Sequence, residues 1–209
     1  VAENINNSIS EEIISMLLFE EKENIEVRTI AEAIESFNSG YIEMTELYDD
    51  EGENWEAKIS GRVTYEDKNT LTIALDSYLF TGGAHGYTSG RFLNFDKKKG
   101  SELEVWQLFK DKDEFTKFAE AKFREQEKIP REKPINYTGF MFERGSFHLP
   151  ENIGLTDKGV QLLYNQYEVA SFADGPIELV LPYDESAEYL KGKLKTQSLI
   201  STTTFEDSE

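Results

Sequence analysis

The sequence predicts an α+β fold: antiparallel sheet packed against a long helix, with further helices at the N-terminus. Three observations predict it. Apolar residues recur at helical spacing over the first forty residues, alternate strictly from Trp55 onward, and return to helical spacing over residues 112–128. Helices, a meander, a long helix and more strands do not follow the regular strand–helix alternation of a doubly wound parallel sheet. Ten Tyr and fourteen Phe among 209 residues suit pleated, half-buried surfaces.

Ile9, Ile13, Met16 and Leu17 form the stripe of a first helix, and Ser8-Ile9-Ser10-Glu11 has the spacing of a capping box. A second helix is predicted over residues 29–37, with Ile30, Ala33, Ile34 and Phe37 on one face and Asn38-Ser39-Gly40 ending it. Asp49-Asp50-Glu51-Gly52-Glu53 reads as a solvated turn, because it lacks the alternating oxygen ligands and distal Glu of a calcium loop. Trp55, Ala57, Ile59, Gly61, Val63 and Tyr65 then alternate with polar residues, as on a half-buried antiparallel strand. Glu66-Asp67-Lys68-Asn69 is a hairpin loop, and residues 70–80 are the return strand.

Past a glycine-rich turn, residues 91–95 form a third strand, closed by Asp96-Lys97-Lys98-Lys99-Gly100. Phe115, Phe118, Ala119 and Phe123 are the apolar face of a helix over residues 112–128. Asp111 and Asp113 place negative charge at its N-terminus, and Pro130 and Pro134 stop it. Strands follow at 159–164 and 177–181, then a short helix at 186–190. The expected organisation is an N-terminal lobe (1–100), a C-terminal lobe (101–190) and a frayed tail (191–209).

Charge narrows the function classes. Lys plus Arg is 22 against 41 Asp plus Glu, a net charge of −19. Such a field repels phosphate backbones and anionic lipid, which counts against nucleic acid and membrane surfaces as partners. It serves solubility, or it draws in a cationic partner. The chain has no cysteine, hence no disulfide, thiolate nucleophile or cysteine metal site. No run approaches the about 20 apolar residues that cross a bilayer. The first residue is Val1 rather than Met, so a processed form of a longer precursor is expected.

The densest motif is Thr81-Gly82-Gly83-Ala84-His85-Gly86, followed by Tyr87. Three glycines in five positions imply a sharp turn, or an approach so close that a Cβ would clash. Two readings of His85 stand. In one, its imidazole bonds a backbone carbonyl and locks the turn. In the other, the turn floors a ligand or partner groove walled by Tyr87 and neighbouring aromatics. Gly82, Gly83, His85, Gly86 and Tyr87 are therefore the candidate binding residues.

Other chemistry is poorly served. Two histidines cannot build a histidine-rich metal site, and neither a metal nor a cofactor is expected. His148, in Phe147-His148-Leu149-Pro150, reads as a structural residue at a strand end. There is no Gly-x-Ser-x-Gly elbow, and the glycine spacing is not that of a phosphate loop. With 41 acids, chance pairing is inevitable and no carboxylate pair is singled out.

Phe80-Thr81-Gly82-Gly83-Ala84-His85-Gly86 resembles the signature of the extracytoplasmic domain of RsiV-type anti-sigma factors, which are lysozyme receptors. It is also similar to the non-catalytic N-terminal region of PdaC-type peptidoglycan deacetylases. Phe147-His148-Leu149-Pro150-Glu151-Asn152, Leu155-Thr156-Asp157-Lys158-Gly159, Tyr164-Asn165-Gln166-Tyr167-Glu168-Val169-Ala170, Gly175-Pro176-Ile177-Glu178 and Leu181-Pro182-Tyr183 extend the likeness through the second half. Ser171-Phe172 departs from the family's Pro-Tyr, and Thr204-Phe205-Glu206-Asp207 is not followed by the His-x-x-x-His of a catalytic deacetylase domain.

The resemblance, to a domain of largely unknown function, implies a non-catalytic binding or sensing role in the bacterial envelope. The implied site is the periplasm or cell surface, with a lipid anchor on the full-length protein. The implied partner is a cationic protein such as lysozyme, or a cell-wall glycan. Two alternatives stand beside it: a wall-polysaccharide hydrolase or deacetylase with His85 in its site, and a scaffold for other envelope components.

Overall fold

The computed structural model describes residues 1–18, 27–48 and 54–192. The acidic turn at 49–53, the tail from residue 193 and the 204–207 motif lie outside the described residues. Two helices, α1 (Ala2–Leu17) and α2 (Ile30–Tyr48), precede strands β1 (Glu56–Glu66), β2 (Thr70–Phe80), β3 (Tyr87–Asp96) and β4 (Ser101–Glu102). Helix α3 (Lys112–Gln126) leads to β5 (Ile153–Leu155), β6 (Gly159–Tyr164), β7 (Ile177–Pro182) and the short α4 (Tyr183–Ser186). The strands form two antiparallel meanders, β1-β2-β3-β4 and β5-β6-β7. The α+β expectation holds. No helix among the described residues is long and apolar enough to cross a membrane.

The two faces of the first sheet bury different elements, as a period of two requires. Leu75, Leu93 and Phe95 meet Ile5, Ile9, Ile13 and Met16 of α1. On the opposite face, Ala74 and Phe92 meet Leu163 of β6. The largest core packs Phe115, Ala119 and Phe123 of α3 against Ile153, Leu155, Leu162, Leu179 and Leu181 of the second sheet. A smaller one joins Ile14, Leu17, Ala33 and Phe37 of the helices to Leu79.

Several boundaries differ from the sequence reading, each for a local reason. Helix α1 begins at Ala2, so Ser8 lies inside it and caps nothing; Ile5 extends the apolar stripe a turn earlier. The box that forms is at Thr29: its Oγ1 accepts from Glu32 N–H at 3.2 Å, and Glu32 Oε2 accepts from Thr29 N–H at 3.1 Å. Helix α2 runs through Gly40 to Tyr48 rather than ending there. Gly40 admits an aromatic ring instead of capping, since a Cβ would fall 2.9 Å from Trp55 Cζ3.

On β1 the alternation breaks at a bulge between Val63 and Tyr65. Val63 turns outward and is 58% exposed, while Tyr65 is buried in the large core. Thr64, the extra residue, donates its hydroxyl to the Leu155 carbonyl at 2.8 Å. The hairpin loop is held by Asp67, whose Oδ1 accepts from the N–H groups of Asn69 and Thr70 at 2.8 and 2.7 Å. Helix α3 is capped by Asp111, which accepts from the N–H groups of Asp113 and Glu114. Strands β4 and β5 carry too few residues to show a period in the sequence.

Candidate functional site

The free edge of β3 is where the two sheets join. In an antiparallel strand every second N–H points away from its paired neighbour. On β3 three of these outward groups are taken by side-chain amides from the second half of the chain. Thr88 N–H donates to Gln166 Oε1 at 3.0 Å, Gly90 N–H to Asn165 Oδ1 at 2.8 Å and Phe92 N–H to Asn152 Oδ1 at 2.8 Å. Asn152 and Asn165 each return an amide hydrogen to the Gly90 carbonyl. Asn94 Nδ2 donates to the Ile153 carbonyl at 2.8 Å. Side chains stand in for a missing strand and close an edge that would otherwise invite pairing. Asn152 and the Asn165-Gln166 pair are thus explained as the seam.

The glycine corner sits at one end of that seam. Gly82 and Gly83 have φ of 96° and 89°, the left-handed region that glycine reaches without strain. Gly86 serves the other purpose anticipated for this motif, since a Cβ there would strike the Tyr78 ring. The imidazole of His85 is not bonded to a carbonyl among the described residues. It is exposed and lies flat on Phe172, with ring centroids 3.8 Å apart and planes at 15°. Tyr167 continues the row, 5.6 Å from Phe172, and is 60% exposed. Its φ is 67°, a left-handed conformation costly for a side chain of this size. Tyr87, two residues after His85, is 40% exposed, and burial together with Glu168 raises its pKa. Phe172 supplies the ring on which His85 rests.

Sequence reasoning missed a second feature. A cavity of about 650 Å³ opens between α1, β3 and the 148–168 segment. Arg91, Trp106, Lys112, His148, Glu151 and Glu168 contribute its charged and aromatic surface. A smaller hollow of about 210 Å³ adjoins it and shares Arg91, Trp106 and Glu151. Arg91 is held by Glu12 at 3.5 Å and Glu102 at 4.0 Å. The Lys112 ammonium lies 4.2 Å above the Trp106 ring. His148, expected to be structural, packs edge-on against Phe142 and Tyr164 and also lines this space, and its carbonyl accepts from the Tyr164 hydroxyl at 2.6 Å.

Burial raises the pKa of Glu168, against the opposing pull of the Asn165 N–H and of His148. Burial also raises Glu102, and Arg91 works against it. The motifs at 147–152 and 164–170 hold His148, Glu151, Asn165 and Glu168, but nothing in the sequence joins them to Arg91, Trp106 and Lys112. Among the described residues no three His, Asp or Glu side chains converge on a point that could hold a metal ion.

The fold defines the class: two antiparallel meanders stitched by amide side chains, with helices outside. Two solved structures share it. A DUF3298 member from Bacteroides fragilis NCTC 9343 aligns with a TM-score of 0.66 and 20% identity over 91% of this chain and 79% of its own. A DUF3298 protein from Pseudomonas aeruginosa PAO1 aligns at 0.61 and 21% over 90% and 79%. Residues 107–184 match the family described as protein of unknown function DUF3298, and residues 1–88 match the one described as deacetylase PdaC. The chain is thus similar to PdaC over its first part and to DUF3298 over its second, in agreement with the resemblance its motifs carry. A curated relative, the peptidoglycan-N-acetylmuramic acid deacetylase PdaC of Bacillus subtilis (strain 168), is 26% identical over 120 residues. That match spans 56% of this chain and 25% of the relative.

Proposed function

We propose that this chain is a non-catalytic binding or sensing domain of the bacterial cell envelope, acting outside the cytoplasmic membrane. Its ligand is a wall glycan or a cationic protein of the lysozyme kind, received at the corner formed by Gly82, Gly83, His85, Gly86 and Tyr87. The observation that carries this reading is the aromatic row His85–Phe172–Tyr167, its two outer rings exposed and part of it held in a strained backbone. Solvent-facing rings fixed in one orientation suit a sugar face or a partner's apolar contact, and ordering them in advance lowers the cost of binding. The wall-directed name of the curated relative supports the envelope location. The charge of −19 supports a cationic partner. The division into lobes 1–100 and 101–190 is part of the same proposal, supported by the family boundaries at 88 and 107.

The alternative, a hydrolase or deacetylase using His85, draws support from the relative's name. Against it, the imidazole rests on a phenyl ring, and among the described residues no carboxylate bonds it.

Titration with lysozyme and with soluble wall glycan, at low salt and near 0.15 M, tests the proposal. Specific binding survives where screening shortens to about 8 Å, whereas a bare charge contact fades. Phe172→Ala is expected to weaken the binding. Loss of all binding at 0.15 M salt, or turnover of glycan abolished by His85→Ala, overturns the reading.

A further inference from the structure

The cavity around His148 is chemically unlike the aromatic corner. Its volume of about 650 Å³ falls within the range of small-ligand sites, about 300–1,000 Å³. One wall is the Trp106 indole, 41% exposed, and that ring already carries an ammonium group, the protein's own Lys112, at 4.2 Å. Opposite charge is available and uncommitted. Among the described residues Glu151 makes no ion pair, and Glu168 accepts only the Asn165 N–H, at 2.9 Å. Arg91, by contrast, is engaged by two carboxylates. The cavity therefore combines a flat aromatic face that tolerates a cation with carboxylate oxygens free to accept from one.

We infer that this cavity binds an amino sugar whose amine is free and protonated. The indole takes the ring face of the pyranose, and Glu151 and Glu168 accept from the ammonium group. An N-acetylated sugar offers an amide instead, which carries no charge and leaves both carboxylates without a cation. The inference rests on the glycan half of the function proposed above and assigns the amine-bearing sugar to this cavity rather than to the corner. Lys112 then competes with the ligand for the indole.

The experiment is calorimetric titration of the purified chain, at 0.15 M salt, with three probes: chitotetraose, its fully de-N-acetylated counterpart and trilysine. The de-N-acetylated tetrasaccharide is expected to bind at least about tenfold tighter than the acetylated one, the order of a charge-assisted hydrogen bond. The double variant Glu151→Gln, Glu168→Gln removes that preference, and Trp106→Ala weakens both sugars. Lys112→Ala strengthens binding by freeing the indole, an outcome that general loss of structure cannot mimic. Thermal melts confirm that each variant is folded.

Equal affinity for the two tetrasaccharides, absence of sugar binding, or trilysine binding as tightly as the amino sugar each overturns the inference. If the cavity variants change nothing while the acetylated glycan or lysozyme binds in a Phe172-dependent way, only the inference falls and the envelope reading stands. If no glycan and no lysozyme binds, both fall.

Discussion

The glycine corner and the cavity both lean on the 165–168 turn, which sends Tyr167 toward one and Asn165 and Glu168 toward the other. They are assembled in opposite ways. The corner is mostly local: seven consecutive residues set its path, two through left-handed glycines and one through a glycine that admits a ring. The cavity draws on α1, β3, the 106–112 segment and the 148–168 segment, so that Arg91, Lys112 and Glu168 come from separate stretches of the chain. The histidine in the conspicuous motif lies flat on a phenyl ring, whereas His148, read from the sequence as structural, lines the cavity near Glu168. A dense motif marks a backbone with special needs, and chemistry can gather elsewhere, wherever the sheets bring separate segments together.

The seam that serves both regions is the place to break them together. Asn152→Leu leaves the Phe92 N–H and the Gly90 carbonyl short of a partner at a buried position. Denaturant unfolding is expected to report a loss of about 2–4 kcal/mol. An unchanged midpoint would mean that the two sheets are held by packing alone. At the corner, Gly86→Ala forces the end of the Tyr78 ring aside, for about 1–2 kcal/mol by the same measurement. His85→Ala removes a stacked pair at an exposed position, with an expected cost of about 0.5–1.5 kcal/mol and the fold retained. Global unfolding of that variant, seen by circular dichroism, would make the imidazole architectural after all.

The cavity gives the smallest effect, read as pH dependence. The folded pKa of Glu168 is raised above the ordinary 4.5, so the native state holds this proton more tightly than the unfolded chain does. Between the ordinary and raised values the native state binds more protons, and this group's contribution to stability falls as pH rises. Glu168→Gln is therefore expected to gain on the wild type in melting temperature as pH increases from about 4 through that window, then to keep a constant difference. A difference that is flat throughout would show that the carboxyl is solvated like any surface acid.

Much of the fold was legible from pattern. The alternation from Trp55, the hairpin at 66–69, the return strand ending at Phe80 and the aromatic face of α3 depend on periods that local sequence carries. The course of α2 through Gly40 was not legible, because the same residue type ends helices and admits close neighbours, and only Trp55 decides between them. Of the candidate site, the turn geometry of Gly82 and Gly83 and the tight fit at Gly86 could be anticipated. The partner of His85 could not.

By itself the sequence determined the α+β order, the acidic surface and the position of the corner, since each follows from residues adjacent in the chain or from their sum. Tertiary structure alone decided that Phe172 underlies His85, that amide side chains complete the edge of β3, and that His148 faces Glu168 across a cavity. The first two relations join segments about 60 to 90 residues apart and the third joins the two ends of the 148–168 segment, and such separations leave no period for a linear pattern to carry.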